Sequence, residues 1–201
     1  MKTVLLLFTL LFPAMTLSSA LSQSTHSAAI SSRWLLSYKG KTSWDVATDM
    51  RLQALLRREL PHYAVGWGEP LPKAINRWLG NYPGTAVTVE SDRFVTIKQA
   101  FPTEGDTGGL LWCDTAPEQS EMIFAILWHN TGPTSTKHAS LDIYTNRKET
   151  HSSLPPSFIT DILSLEKDMG VTSTTIITIA VHDAQNNTAS LPSSTFENSM
   201  R

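Results

Sequence analysis

Between Thr85 and Tyr144 the chain strings together short apolar runs, each of strand length and each closed by turn-forming residues, and this succession limits the fold more than any other feature. Thr85-Ala-Val-Thr-Val-Glu90 and Arg93-Phe-Val-Thr-Ile-Lys-Gln-Ala-Phe101 are rich in β-branched residues, and Ser91-Asp92 between them reads as a hairpin turn. Residues 110–113 and 121–128 form a second apolar pair, separated by the polar segment 114–120, and His138-Ala-Ser-Leu-Asp-Ile-Tyr144 is a fifth candidate strand. Strands that follow one another with short connections and no helix between them pair antiparallel.

Helical spacing brackets this region. Val46, Met50, Leu52, Leu55, Leu56 and Leu60 fall largely at three- and four-residue intervals and stop at Pro61, which predicts one amphipathic helix with Arg51, Arg57, Arg58 and Glu59 mostly on its wet side. A second helical turn is expected over 70–80, with Ile75, Trp78 and Leu79 inward, and Trp34 and Trp44 are expected to pack on the first helix. After the strands, Pro155-Pro156 opens a helix whose face is Phe158, Ile159, Ile162, Leu163, Leu165 and Met169, with Gly170 as its stop. Residues 174–181 read as the closing strand. The expected fold is α+β: an antiparallel sheet of about five to six strands with an N-terminal helix and a later helix packed on it.

Residues 1–20 predict a compartment. Lys2, the apolar run 4–12 and the small residues leading to Ala20 have the form of a secretory signal peptide over 1–20, too short for the roughly 20 apolar residues of a membrane span. A periplasmic or secreted location follows. Residues 21–42 read as a flexible leader, 43–183 as a single domain and 184–201 as a disordered polar tail carrying the triplet Asn186-Asn-Thr188, a glycosylation sequon only in a eukaryotic secretory pathway. Roughly 180 residues suffice to bury a core without staples. Cys113 is the single cysteine, so no intramolecular disulfide framework exists, and within an apolar strand it is most simply a buried small hydrophobe. A formal charge of −2 with no long basic run lacks the footprint of a nucleic-acid or anionic-membrane binder.

Residues 104–113, Glu-Gly-Asp-Thr-Gly-Gly-Leu-Leu-Trp-Cys, have the look of the nucleophile segment of trypsin-like proteases, with Thr in place of Ser. A nucleophilic hydroxyl needs a base in reach and a third group to orient it. Before Thr107, beyond the signal region, stand only His26, in the leader, and His62, at a helix end; the 45 residues from His62 to Thr107 leave no room for a separate β-barrel lobe. The stretch reads better as a Gly-rich loop, in which Gly105, Gly108 and Gly109 adopt positive φ cheaply while Thr103, Asp106 and Thr107 bond their own backbone. His129 and His138 with Asp114 or Asp142 match no compact metal spacing, and Glu104 with Asp106 has nothing visible to separate two carboxylate pKa values. No metal, no cofactor and no enzymatic activity are expected.

The order of segments suggests a family. Leu60-Pro-His-Tyr-Ala-Val65, Val87-Thr-Val89, Arg93-Phe-Val-Thr-Ile97, the loop 102–109, Leu110-Leu-Trp-Cys-Asp-Thr115, Phe124-Ala-Ile-Leu-Trp128 and Leu141-Asp-Ile-Tyr144 resemble the periplasmic inhibitor-of-vertebrate-lysozyme group and related immunity proteins of cell-wall-degrading toxins. The resemblance covers most of 46–182. That family braces its loop with a Cys-Lys-Pro-His-Asp-Cys type motif, and residues 101–109 here carry neither cysteine nor histidine. The resemblance implies a sheet-presented loop that plugs the cleft of a peptidoglycan-degrading hydrolase, such as an amidase or a lysozyme-like enzyme. In this chain that loop is Pro102, Thr103, Glu104, Gly105, Asp106, Thr107 and Gly108, with Tyr63, Trp67 and Tyr82 as flanking anchors. Two alternatives are a small-ligand binding module whose aromatics line a pocket, and a secreted hydrolase using Thr107. Nothing in the sequence excludes a homodimer.

Overall fold

A computed structural model describes residues 31–81, 84–101, 107–116, 121–130, 138–148, 154–169, 175–192 and 194–197. The expected signal peptide, Tyr82, and Pro102, Thr103, Glu104, Gly105 and Asp106 lie outside the described residues. The α+β fold class agrees with expectation; among the described residues, however, the sheet has seven strands.

The first helical span is two helices instead of one, α1 (Ser43–Ala47) and α2 (Met50–Glu59). Each has its own N-terminal cap. Thr42 and Asp45 form a reciprocal capping box on α1, while the Asp49 carboxylate accepts the Arg51 amide at 2.8 Å and starts α2. α3 (Leu71–Leu79) follows the Tyr63–Pro70 turn, in which Gly68 takes φ +82°.

β1 (Thr88–Glu90), β2 (Phe94–Phe101), β3 (Thr107–Asp114), β4 (Glu121–Asn130) and β5 (His138–Thr145) form an antiparallel meander. Ser91 and Asp92 both take positive φ, 53° and 49°, as the first hairpin turn demands. α4 (Pro156–Asp168) then carries the chain to β6 (Thr175–His182), which pairs parallel to β5. A parallel neighbour requires such a crossover, so the sheet is mixed and not purely antiparallel. β7 (Thr188–Leu191) returns antiparallel to β6, and α5 (Ser194–Glu197) follows it.

Both ends of the domain therefore extend beyond the expected 43–183. Within the expected leader, Ser32–Tyr38 is a 3-10 helix that buries Leu35 completely, and Gly40 and Lys41 bond the backbone of Val87. Within the expected tail, the Asp183 carboxylate accepts the Gln185 and Asn187 amides at 2.8 Å, closing the turn that starts β7, and Phe196 is buried. A seven-residue 3-10 helix and a four-residue edge strand are too short to show a hydrophobic period.

The core has two parts, one on each face of the sheet. On the first face, α1, α2 and α3 bury Leu52, Leu56, Ile75 and Leu79 against Val95, Ile97, Leu111, Cys113, Phe124 and Ile126. On the second, Phe158, Ile162 and Leu165 of α4 pack on Leu110, Trp112, Ile123, Leu127, Leu141 and Ile179. Strands covered on both sides lose the usual alternation, which explains the unbroken apolar runs in β3 and β4. Polar ties fix α4 over β2. Thr96 donates to Asp161 at 2.5 Å, and the Lys98 ammonium lies 2.8 Å from Ser164 and 2.6 Å from Asp168.

The two covers differ in reach. The buried cluster on the α4 side runs on through β5 and β6, whereas the cluster beneath α1 to α3 ends at β4 and Tyr144. On the first face β5, β6 and β7 instead present Ser140, Asp142, Thr178, Ala180, His182, Thr188 and Ser190, polar or small and partly or wholly exposed.

Candidate functional site

The turn between α2 and α3 runs along the border between the covered and bare halves of the first face. Tyr63 stands at one end of the border and Trp67 at the other. The Tyr63 ring lies 6.4 Å from that of Tyr144, and its hydroxyl is buried with no hydrogen-bond partner among the described residues. Burial raises the Tyr63 phenol well above its ordinary value, with the Tyr144 and Asp183 charges adding to the effect. As a partner anchor Tyr63 is thus poorly placed, because its polar atom faces inward.

Trp67 is the opposite case, with 39% of its surface exposed. Its indole is oriented by a bond to Glu69 at 3.2 Å, and Glu69 is itself held by Lys73 and Arg77. The ring packs 6.4 Å from Trp78 and 5.9 Å from Trp128. Trp78 in turn meets Phe101 edge-on at 5.1 Å and Trp128 at 5.8 Å. Four aromatic rings thus converge at one end of the sheet; the Trp67–Trp128, Trp78–Phe101 and Trp78–Trp128 pairs take the edge-to-face geometry that ring quadrupoles favour, and the Trp67–Trp78 pair is tilted.

This end of the sheet is the one from which the β2–β3 connection leaves. Phe101 is the last residue of β2 and faces Thr107, the first of β3, and Thr107 faces Trp128. The sequence-predicted loop therefore divides. Thr107 and Gly108 belong to β3, and Gly108 is buried. A Cβ on Gly108 would stand 2.8 Å from the Met169 sulfur and 3.1 Å from Leu165 Cδ1, so this glycine serves close packing of α4 on the strand. Gly109 plays the same part on the other face, where its Cβ would meet Trp78 at 3.2 Å. Neither takes positive φ, and neither is available to a partner. The connection proper shrinks to 102–106.

His62, His138 and His182 each have partners away from Thr107. His62 ends near α2, with its Nε2 2.5 Å from the Arg57 carbonyl, and His138 opens β5. His182 belongs to the bare face. Its ring stacks on Tyr144 at 4.7 Å, its Nδ1 lies 3.0 Å from the Thr188 hydroxyl, and its Nε2 lies 4.0 Å from Asp142. Burial pushes the Tyr144 phenol up to about 12, with Asp142 adding to the shift. Asp142 accepts the Trp128 indole N–H at 3.1 Å, which joins the bare face to the aromatic border.

Among the described residues no cluster of three or more His, Cys, Asp or Glu side chains forms a metal site, and no helix is long and apolar enough to cross a membrane. Cys113 is fully buried and its thiol is raised far above the ordinary range, first by burial and then by Asp114. Of the two tryptophans expected to pack on the first helix, Trp34 does so, beneath Arg51 of α2, whose guanidinium lies 4.5 Å from the ring, whereas Trp44 stands within α1 and is 44% exposed.

Trp78 and Trp128, which complete the border, carried no functional signal of their own in the sequence. Trp78 read as core cover on a helix and Trp128 as a strand end; only the fold brings them to Trp67. No protein-family model, no curated protein and no solved structure matches the chain.

Proposed function

We propose that this chain is an exported protein-binding module that blocks a peptidoglycan-degrading hydrolase, using the β2–β3 connection together with its aromatic border. The observation that carries the reading is Trp67, exposed yet oriented on Trp78, Trp128 and Phe101 at the foot of that connection. A large ring already held in place loses little entropy on binding, which is why such residues act as interface anchors. The strands flanking the connection are paired along their length, so the stem is rigid. Glu104 and Asp106 supply carboxylates to the segment between the stems, and burying them in a cleft is favourable where the target offers cationic or N–H partners.

The experiment pairs two measurements on the purified chain. Immobilised protein is exposed to periplasmic or secreted extract and retained wall hydrolases are identified. Inhibition of a lysozyme and of an amidase is then followed on peptidoglycan. Expected is retention and inhibition of one such enzyme, lost on replacing 102–106 by Gly-Ser residues and weakened by Trp67→Ala. Full activity of every hydrolase tested, or inhibition unchanged in both variants, removes the proposal.

The bare polar half of the sheet favours a second reading, a small-ligand module. Recovery of a bound sugar or lipid by mass spectrometry of the native protein would favour it over the first.

A further inference from the structure

The carboxylates Asp49, Glu69, Asp114, Glu121 and Asp168 each lie within ion-pair distance of an arginine or lysine of the same chain. Asp161 is tied to Thr96, and Asp183 is closed by the amides of its own turn. Asp142 is different. It sits mid-strand on the bare half of the sheet with its side chain 36% exposed. Trp128 Nε1–H satisfies one carboxylate oxygen at 3.1 Å. Among the described residues the other faces the His182 ring, whose Nε2 at 4.0 Å is beyond hydrogen-bond distance.

Among the described residues, the bare face offers hydroxyls at Ser140, Thr178, Thr188 and Ser190, and no lysine or arginine. Arg77, whose guanidinium lies 6.0 Å from the Trp67 ring, pairs with Glu69. Ala180 stands directly opposite Asp142, and its small side chain leaves space beside the carboxylate. A fixed, half-exposed acceptor flanked by hydroxyl acceptors and bordered by indole rings is complementary to a planar, donor-rich cation.

We infer that Asp142 seats an arginine side chain of the protein partner. The inference rests on the protein-binding reading above and names the chemistry the partner presents to this face. A guanidinium suits the position better than an ammonium. Its fork of N–H donors reaches the open Asp142 oxygen and the Ser140 and Thr178 hydroxyls together, and its weakly hydrated plane and stem tolerate the Trp67–Trp128 border.

The test uses N-acetyl-arginine amide as the probe, followed by the Trp128 indole N–H signal in nitrogen-15 NMR spectra of the full chain. N-acetyl-citrulline amide, of the same shape without the charge, and a dimer of N-acetylglucosamine are the comparison probes. The arginine probe is expected to shift the signal saturably and the other two to leave it in place. Asp142→Asn, which keeps an acceptor for Trp128, should weaken the probe about fivefold, the scale of one partly exposed charge pair. Ala180→Leu, which fills the space without changing charge, should block it. Equal shifts from citrulline, a shift from the sugar alone, or undiminished arginine binding by Asp142→Asn overturns the assignment. The two proposals fail separately. A chain that binds the arginine probe but inhibits no hydrolase keeps the Asp142 assignment and loses the target; one that inhibits through Trp67 yet ignores the probe loses only the assignment.

Discussion

Single residues reveal where burial works with the chemistry of a side chain and where it works against it. Cys113 has a thiol raised by burial and by Asp114, so it is neither ionised nor accessible. It should stay unmodified by a thiol reagent at pH 8 and react stoichiometrically once denatured; rapid labelling of the native protein, read by mass spectrometry, would contradict its position. Asp161 carries a carboxyl raised chiefly by burial, with Glu90 adding to the rise and the Thr96 hydrogen bond and the Lys98 charge pulling the other way. A carboxyl raised in the folded state contributes stability that is whole below its unfolded value near 3.9 and is lost as pH rises through the folded value. Asp161→Asn preserves an acceptor for Thr96 and removes that loss. Its melting temperature should exceed the parent's at pH 7 and match it near pH 3. A variant less stable than the parent at neutral pH would show that the Lys98 charge outweighs desolvation.

Elements show how much of the fold could be read in advance. The β1–β5 meander was legible because each strand is an uninterrupted apolar or β-branched run between turn residues, and α4 because its apolar positions keep helical spacing from Pro155 to Met169. The division at Asp49 was not, since a cap inside a periodic stretch leaves the period intact. The parallel β5–β6 pairing was also hidden; strand patterning alone does not specify direction. At the candidate site, Trp67 was legible as an aromatic in a Gly/Pro-rich turn, whereas its convergence with Trp78, Trp128 and Phe101 depends on contacts across three elements. In the sequence Asp142 stands beside His129 and His138 as a candidate, whereas its partners in the fold are Trp128 and His182.

The glycines allow a comparison at the same scale. A Cβ on Gly84 would meet the Trp44 backbone nitrogen at 2.8 Å and Ser43 Oγ at 2.5 Å, and the backbone at the start of α1 has little room to yield. On Gly108 the obstacles are the ends of Met169 and Leu165, which can shift. Gly84→Ala should therefore cost more in urea unfolding than Gly108→Ala, both within the roughly 1–3 kcal/mol typical of overpacking. The reverse order would mean that α4 is the more rigid neighbour.

At the scale of the whole molecule, the unequal covering of the sheet sets the distribution of stability. β3 and β4 lie between two helical layers, while β6 and β7 have helices on one face only. Regions with fewer buried contacts open at lower free energy. Amide hydrogen exchange should accordingly be slowest in 110–113 and 122–127, faster in β6, and fastest among strands in β7. Uniform protection across all seven strands would show that the domain opens only as a unit. The short outer strands fit the same arrangement, since three residues in β1 and four in β7 present little free edge to another sheet.

The bare half of the first face also bears on how such a protein can change over generations. Ser140, Thr178 and Ser190 point away from every buried cluster, while their strand neighbours Leu141, Ile179 and Leu191 pack against the α4 side. Substitutions at the outward positions leave the inward ones untouched, so the scaffold stays constant while this surface changes to follow what it binds. A lineage pressed by a changing adversary would accumulate its differences there, on alternate residues of three adjacent strands.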